Sequence, residues 1–353
     1  MILILSILVI IIIILIVYRS RNTSKKSENK AEHLYNYNYR EDEDGNYSKK
    51  DGEWTKYYIN GTIDEHGCYL NGELEGKWEK YHSNGKLALE GTYSNGIKNG
   101  EFNEYYTNGK LKTKTFYINE EINGNYEFYY EAGNLKEKRN YTNGKLDGKY
   151  ECYYEKGKLK EEGNYINEKK DGIFRFYYET GNIMQELKYI NGILDGKYEY
   201  YHERGKLKED GTYINGKKEG LERVYFESGN LKSELNYKNG EFEGKCTYYY
   251  DNGKLKEEGT YSNGSKEGTY KSYYETGNLM NEMNYNDYIL DGRIREYYEN
   301  GNLKKEEWYK DGKKIGKSKE YYKNGRLKLE VSYINGEPSE EIKEYDVNGK
   351  LKA

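Results

Sequence analysis

A chain of 353 residues would ordinarily hold two domains, but 46 Tyr, 40 Gly and a single Pro argue for something other than two ordinary globular cores. Lys+Arg number 57 against Asp+Glu 61, interspersed, so the one-sided basic footprint of a nucleic-acid binder is missing. Disordered chains are poor in aromatics, and this one is 16% aromatic at fixed spacing.

In chain order, residues 1–18, MILILSILVIIIIILIVY, are apolar apart from Ser6. A run of roughly 17–25 residues spans a bilayer as a helix. The basic start and small-residue cleavage site of a signal peptide are both missing, and no Cys directly follows to carry a lipid. The stretch is therefore expected to be an uncleaved single-pass transmembrane anchor. Arg19, Arg21, Lys25 and Lys26 lie on its C-terminal side, which by the positive-inside rule keeps the remainder cytoplasmic, with export as the rival. Residues 19–51, including the acidic run REDEDG, read as a polar, charged tether.

From Gly52 to Ser339 one 24-residue pattern recurs twelve times without insertion or deletion, and residues 340–353 are a thirteenth copy cut short, a C-terminal cap. A fixed period of this size signals a stacked array. With each copy numbered from its leading glycine, position 1 is Gly, position 6 Tyr, position 10 Gly and position 18 Tyr in all twelve, and position 12 is Leu or Ile. The fifth copy carries these as Gly148, Tyr153, Gly157, Tyr165 and Leu159, with Tyr154 at position 7. The seventh has Gly196, Tyr201, Gly205, Leu207 and Tyr213, the ninth Gly244, Tyr249, Gly253, Leu255 and Tyr261. These are the repeat-defining structural residues. His82, His202 and Phe226 replace the usual Tyr at position 7.

Such residues favour strands. Asn-Gly pairs at positions 9–10 and Asn-Gly or Asp-Gly at 20–21 are hairpin signals, because both residues accept positive φ. Two strands per copy follow, about positions 2–7 and 11–19. The expected fold is all-β: an elongated, twisted antiparallel meander of roughly two dozen strands. A first turn centred on positions 9 and 10 sets 7 opposite 12, 5 opposite 14 and 3 opposite 16. Alternation then gathers 3, 7, 12, 16 and 18 on an aromatic face, and leaves Tyr153 with Lys160 and Glu162 on a polar one. A four-residue second turn would set the position-18 Tyr against the next leading Gly. Large rings at position 3 (Trp54, Trp78, Tyr150, Tyr198) are expected to lie over glycines at 16 (Gly67, Gly91, Gly163, Gly211), a known cover for a weak spot in a strand. Position 16 alternates Gly163, Leu187, Gly211, Leu235, Gly259, Met283, and position 11 alternates Lys158, Asn182, Lys206, Asn230. The duplicated unit is thus 48 residues, with adjacent copies sharing space. One apolar face must be buried and long sheets curl, so coiling around the aromatic face is expected.

The run YYxNGKLKxEGxYxNGKxxG, here YYDNGKLKEEGTYSNGSKEG from Tyr249 to Gly268, resembles the MORN repeat variant of bacterial YwqK-like proteins, which are catalogued as antitoxin components. The resemblance covers about 300 of the 353 residues. It implies hairpin arrays that serve protein association and at times membrane attachment.

Chemistry is hard to find. Gly312 to Ser318, GKKIGKS, is one residue short of a phosphate-binding loop and sits between copies, where the required following helix is not expected. Acids at position 15 (Glu90, Glu162, Glu258, Glu330) recur too regularly for a catalytic pocket and are expected to pair across strands with Lys at position 13. Cys68, Cys152 and Cys246 fall at three different positions and suggest neither disulfides nor a metal site; no Ser–His–acid set is seen. No enzyme, cofactor or metal is expected. The leading expectation is a membrane-tethered scaffold that binds a partner protein. An antitoxin, or a cell-surface carbohydrate binder built on the tyrosines, are the alternatives; for the latter only Trp54, Trp78 and Trp308 supply tryptophan.

Overall fold

Both reversals of each copy are built on left-handed residues. At the first, Gly157 (φ 84) donates its N–H to Tyr154 O at 2.8 Å while Tyr154 N–H donates to Lys158 O at 2.8 Å. This is a type I turn closed by an αL glycine, and it recurs at every position-10 glycine from Gly61 to Gly325. The second is a two-residue turn with both residues at positive φ, as in Asn191 (φ 50) and Gly192 (φ 83), flanked by the pair Ile190↔Ile193.

A computed structural model of the chain describes residues 34–36, 39–41, 47–339 and 342–352. Among these, every regular element is a β-strand. The stretch 1–18, read as an anchor, lies outside the described residues. The chain divides into two units, Met1–Ile122 and Asn123–Ala353. In the first, Leu34–Asn36 pairs with Gly52–Tyr57, which pairs with Ile63–Leu70, followed by Gly76–Tyr81, Leu87–Ser94, Gly100–Tyr105 and Leu111–Ile118, all antiparallel. In the second, the meander runs from Leu135–Thr142 through Lys145–Tyr153 and Leu159–Ile166, and onward to Leu327–Ile334 and Lys343–Glu344. The stretch read as a tether contributes strands: besides Leu34–Asn36, Tyr39–Glu41 pairs with Tyr47–Lys50. Tyr35, Tyr39 and Tyr47 are residues that favour strands in their own right.

Register departs from the sequence expectation near both turns. Position 3 does face 16 and 5 faces 14 (Tyr150↔Gly163, Cys152↔Glu161), but Tyr153, at position 6, faces Leu159 at 12. The turn centres on positions 8 and 9, and its αL glycine is an extra residue. Position 13 is a second extra residue, which restores the register by position 5. The position-18 Tyr faces its own leading glycine, Tyr165↔Gly148, and position 23 across the second turn, Tyr165↔Lys170. The four-residue turn expected there is a two-residue one. Pairing then jumps, as between Arg139↔Tyr150 and Tyr141↔Leu146, so the leading glycine falls in a bulge. That explains its invariance: Gly148 has φ 114, and a Cβ on it would lie 3.0 Å from Asn140 Nδ2.

The buried rows are positions 3 and 16. Phe174 and Tyr198 at position 3 are 0% and 1% exposed, and Leu187, Leu235 and Val331 at position 16 are buried with them. Rings do cover the position-16 glycines, but not always from the same copy. Tyr198 covers Gly211 in its own copy, Gly67 lies under both its own Trp54 and Trp78 of the next, and Gly91, Gly163 and Gly259 are covered by Phe102, Phe174 and Tyr270 of the next. A Cβ on Gly163 would stand 2.4 Å from Phe174 Cε1. Adjacent copies thus share space as the 48-residue alternation suggests.

Candidate interaction surface

Two of the tyrosine rows are consumed internally. Position 18 packs on position 3 of its own copy (Tyr150–Tyr165, ring centroids 5.6 Å; Tyr198–Tyr213, 4.8 Å) and of the next (Tyr165–Phe174, 5.5 Å; Tyr261–Tyr270, 5.9 Å). Lysines at position 23 lie over the same rings: Lys170 Nζ is 4.3 Å from the Phe174 centroid, Lys266 Nζ 4.3 Å from Tyr270. Sequence reasoning missed this row. Its signal was there in the alternation Leu146, Lys170, Leu194, Lys218 at position 23, where the lysine ammonium lies over the rings.

Position 6 points away from those rows. Tyr177 and Tyr273 donate to position-15 acids of the preceding copy, Glu162 and Glu258 (2.6 and 2.8 Å), and Tyr201 donates to Glu199 at position 4. Partial burial and the adjacent carboxylate push Tyr153 and Tyr201 up to about 12. Leu159, Leu207 and Leu255 sit half-buried opposite Tyr153, Tyr201 and Tyr249. The position-15 acids pair with bases at positions 2 and 4 rather than with Lys at 13: Lys317–Glu330 is 3.1 Å, and Arg295 bridges Glu306 at 3.0 Å and Glu282 at 3.9 Å. As the bulged residue, position 13 turns to positions 5 and 7 instead. Lys112 reaches Glu104 at 2.7 Å, and Lys160 lies 5.7 Å from the Tyr154 centroid.

Position 7 belongs to an edge ladder and not to the aromatic face. Tyr154 Oη donates to Tyr177 O (2.6 Å), Tyr178 Oη to Tyr201 O and Tyr250 Oη to Tyr273 O (2.8 Å each), always one copy onward. His82 and His202 keep the contact through Nε2 to Tyr105 O and Tyr225 O, which is why imidazole substitutes for phenol here. Position 11 continues the ladder and explains its alternation: Lys158 Nζ caps Thr180 O, at position 9 of the next copy, while Asn182 Nδ2 caps Glu203 O, at position 8. At the opposite edge, carboxylates at position 24 accept from the next second turn (Asp171 from Asn191 N–H, 3.1 Å; Asp195 from Asn215 N–H, 3.0 Å).

What remains open is apolar at that second-turn edge. Ile166, Ile190 and Ile214 at position 19 are 45%, 45% and 48% exposed, and Ile193, opposite Ile190, is 51% exposed. Three consecutive copies therefore present isoleucine to solvent. Elsewhere, Cys68, Cys152 and Cys246 are free thiols. Among the described residues no group of three or more His, Cys, Asp or Glu could hold a metal, and no helix is long and apolar enough to cross a membrane. The stretch GKKIGKS runs from a turn into the strand Lys313–Tyr321, so it is not a phosphate loop.

The model of one family, described as MORN repeat variant, matches twelve segments: 50–71, 74–95, 98–119, 122–143, 146–167, 170–191, 194–215, 218–239, 242–263, 266–287, 290–313 and 314–335. No curated protein matches the chain. Among solved structures, TcdB2-TccC3-Cdc42 is similar at 12% identity over 88% of this chain and 20% of that one, with a TM-score of 0.16. A Photorhabdus luminescens Tc holotoxin pore is similar at 14% identity over 90% and 19%, with a TM-score of 0.18. The chain spans about a fifth of the length of those toxin chains, and superposition at this level does not identify a shared fold.

Proposed function

The chain belongs to the MORN repeat variant family, and from that premise we propose that it is a non-enzymatic repeat scaffold, tethered to a membrane through residues 1–18, that holds a partner protein against its second-turn edge. The observation that carries this reading is the exposed run Ile166, Ile190, Ile193 and Ile214. Contiguous apolar surface on a polar chain marks an association site, and a protein interface needs such a centre with a polar rim; Lys169 and Lys217 at position 22 supply part of that rim. The tyrosines add little free surface, because positions 3 and 18 pack on one another and position 7 is bonded to the next copy. That counts in favour of a protein partner over stacked sugar rings.

The test is in-cell cross-linking of the full chain beside a variant with all four isoleucines changed to Glu. A specific protein partner captured by the parent and lost at least about tenfold by the variant, with unchanged melting, is expected. Equal capture by both, or no specific protein with either, contradicts the reading. Removal of residues 2–18 is expected to move the chain from the membrane pellet to the supernatant; a deletion that still pellets contradicts the tether.

A further inference from the structure

An ion pair formed in the fifth and seventh copies is open in the ninth, and the gap is a cavity. In the fifth copy Lys170 Nζ meets Glu161 at 3.0 Å, and Phe176 of the next copy stands in register with Glu161 and 5.3 Å from Lys170 Nζ. In the seventh, Lys218 meets Glu209 at 3.1 Å with Val224 in that register place. In the ninth the same residue types recur as Lys266 and Glu257, but Ser272 takes the place of the bulky side chain. The side chains of Lys266 and Glu257 then form no ion pair or hydrogen bond with any described residue, the ammonium resting over the Tyr270 and Tyr285 rings, and both line a cavity of about 270 Å³. Its walls are otherwise Tyr270, Lys271, Tyr285, Met280, Met283 and the Ser272–Asn281 pair. Tyr270 is held back by Cys246, whose Sγ is 2.9 Å from its hydroxyl.

We propose that this cavity binds a free aromatic amino acid, the ring occupying the space that Phe176 fills in the sixth copy, the carboxylate on Lys266 and the ammonium on Glu257. Both charges stand at the walls without a counter-charge, Lys266 being held only over the Tyr270 and Tyr285 rings, so a zwitterion gives each a charge-assisted contact while its ring meets tyrosine and thioether surface. A neutral apolar group would leave both unanswered. The volume lies just under the usual range for drug-sized ligands, roughly 300–1,000 Å³, which suits one amino acid. With about a dozen heavy atoms in an open site, a Kd on the order of 1 mM is expected. The proposal is independent of the scaffold reading, which uses the isoleucine edge.

The test is saturation-transfer NMR on the full chain with L-phenylalanine as the probe, titrated to about 20 mM. Saturable binding is expected, weakened at least about fivefold by Glu257→Gln and by Lys266→Met, abolished by Ser272→Phe and retained by Ser272→Ala, with melting curves confirming that each variant folds. N-acetyl-L-phenylalanine amide, which has neither charge, should not compete. Absence of saturable binding, equal binding by the charge variants, or equal binding of the amide each overturns it; should Ser272→Phe fail to fold, the two charge variants decide.

Discussion

Glu168 holds φ 66 at a place where nine of the twelve copies have glycine. It keeps the turn's N–H bond, donating to Leu146 O at 2.8 Å, but a side chain in the left-handed region costs roughly 1–2 kcal/mol. Glu168→Gly should therefore stabilise by about 0.5–1 kcal/mol after the extra chain entropy of glycine is offset, read as a raised melting temperature. An unchanged or lowered value would show that the Glu168 side chain does something the turn geometry does not reveal. Gly163 is the opposite case. Its backbone is ordinary, and what requires glycine is the Phe174 ring, so Gly163→Ala should destabilise by about 1–3 kcal/mol through overpacking. Gly157, whose Cβ would meet nothing within 4 Å, should show only the smaller conformational cost when changed to Ala. Equal losses at the two glycines would refute this division.

At the scale of strands and turns, Phe226 is a gap in the position-7 ladder. It has no hydroxyl to donate to the next copy, where tyrosines elsewhere bond about one repeat onward at 2.6–2.9 Å. Phe226→Tyr should gain roughly 0.5–1.5 kcal/mol, the net worth of one hydrogen bond, in denaturant melts; no gain would mean the Tyr249 carbonyl is already satisfied. Tyr213→Ala, at position 18 against Tyr198, should cost more than Tyr201→Ala at position 6, because it removes a packed ring pair rather than a half-exposed contact with Glu199. Strands, turns and the 3–16 pairing were legible in sequence because Asn-Gly spacing and period-2 patterning act locally. The position-13 bulge was not legible. Lys160 reads as an ordinary polar-face residue, and only the αL glycine counted as an extra residue in the turn displaces it. The source of the ring over Gly163 was hidden for a similar reason: Tyr150 and Phe174 are both large residues at position 3, and the pairing across copies decides between them.

Within each of the two units, cohesion runs from copy to copy through ring cover, the position-7 and position-11 ladder and the position-24 carboxylates. Repeat arrays of this kind gain stability by nearest-neighbour terms. The isoleucine edge went unnoticed in sequence because Ile166 and Ile190 look like the next apolar residues of their strands; alternation after position 18 turns them outward. Tyrosine chemistry also sets the alkaline limit. Burial and neighbouring carboxylates raise Tyr129, Tyr177 and Tyr273 to about 12, and burial first, then nearby charges and hydroxyls, raise Tyr200 and Tyr248 to about 12. In the unfolded chain these groups titrate near 10. The folded state thus keeps protons that the unfolded state releases, so stability is intact below about pH 10 and falls as pH rises toward about 12. Melting that is flat across that window would contradict the burial of these rings.

The account turns on neighbouring copies completing one another, and amide hydrogen exchange on Gly163→Ala tests it most directly. Displacing the Phe174 ring should lower protection both in Leu159–Ile166, which bears the substitution, and in Gly172–Tyr177 and Ile183–Ile190 of the following copy. Loss confined to Leu159–Ile166 and its own hairpin partner, with the following copy unchanged, would contradict it.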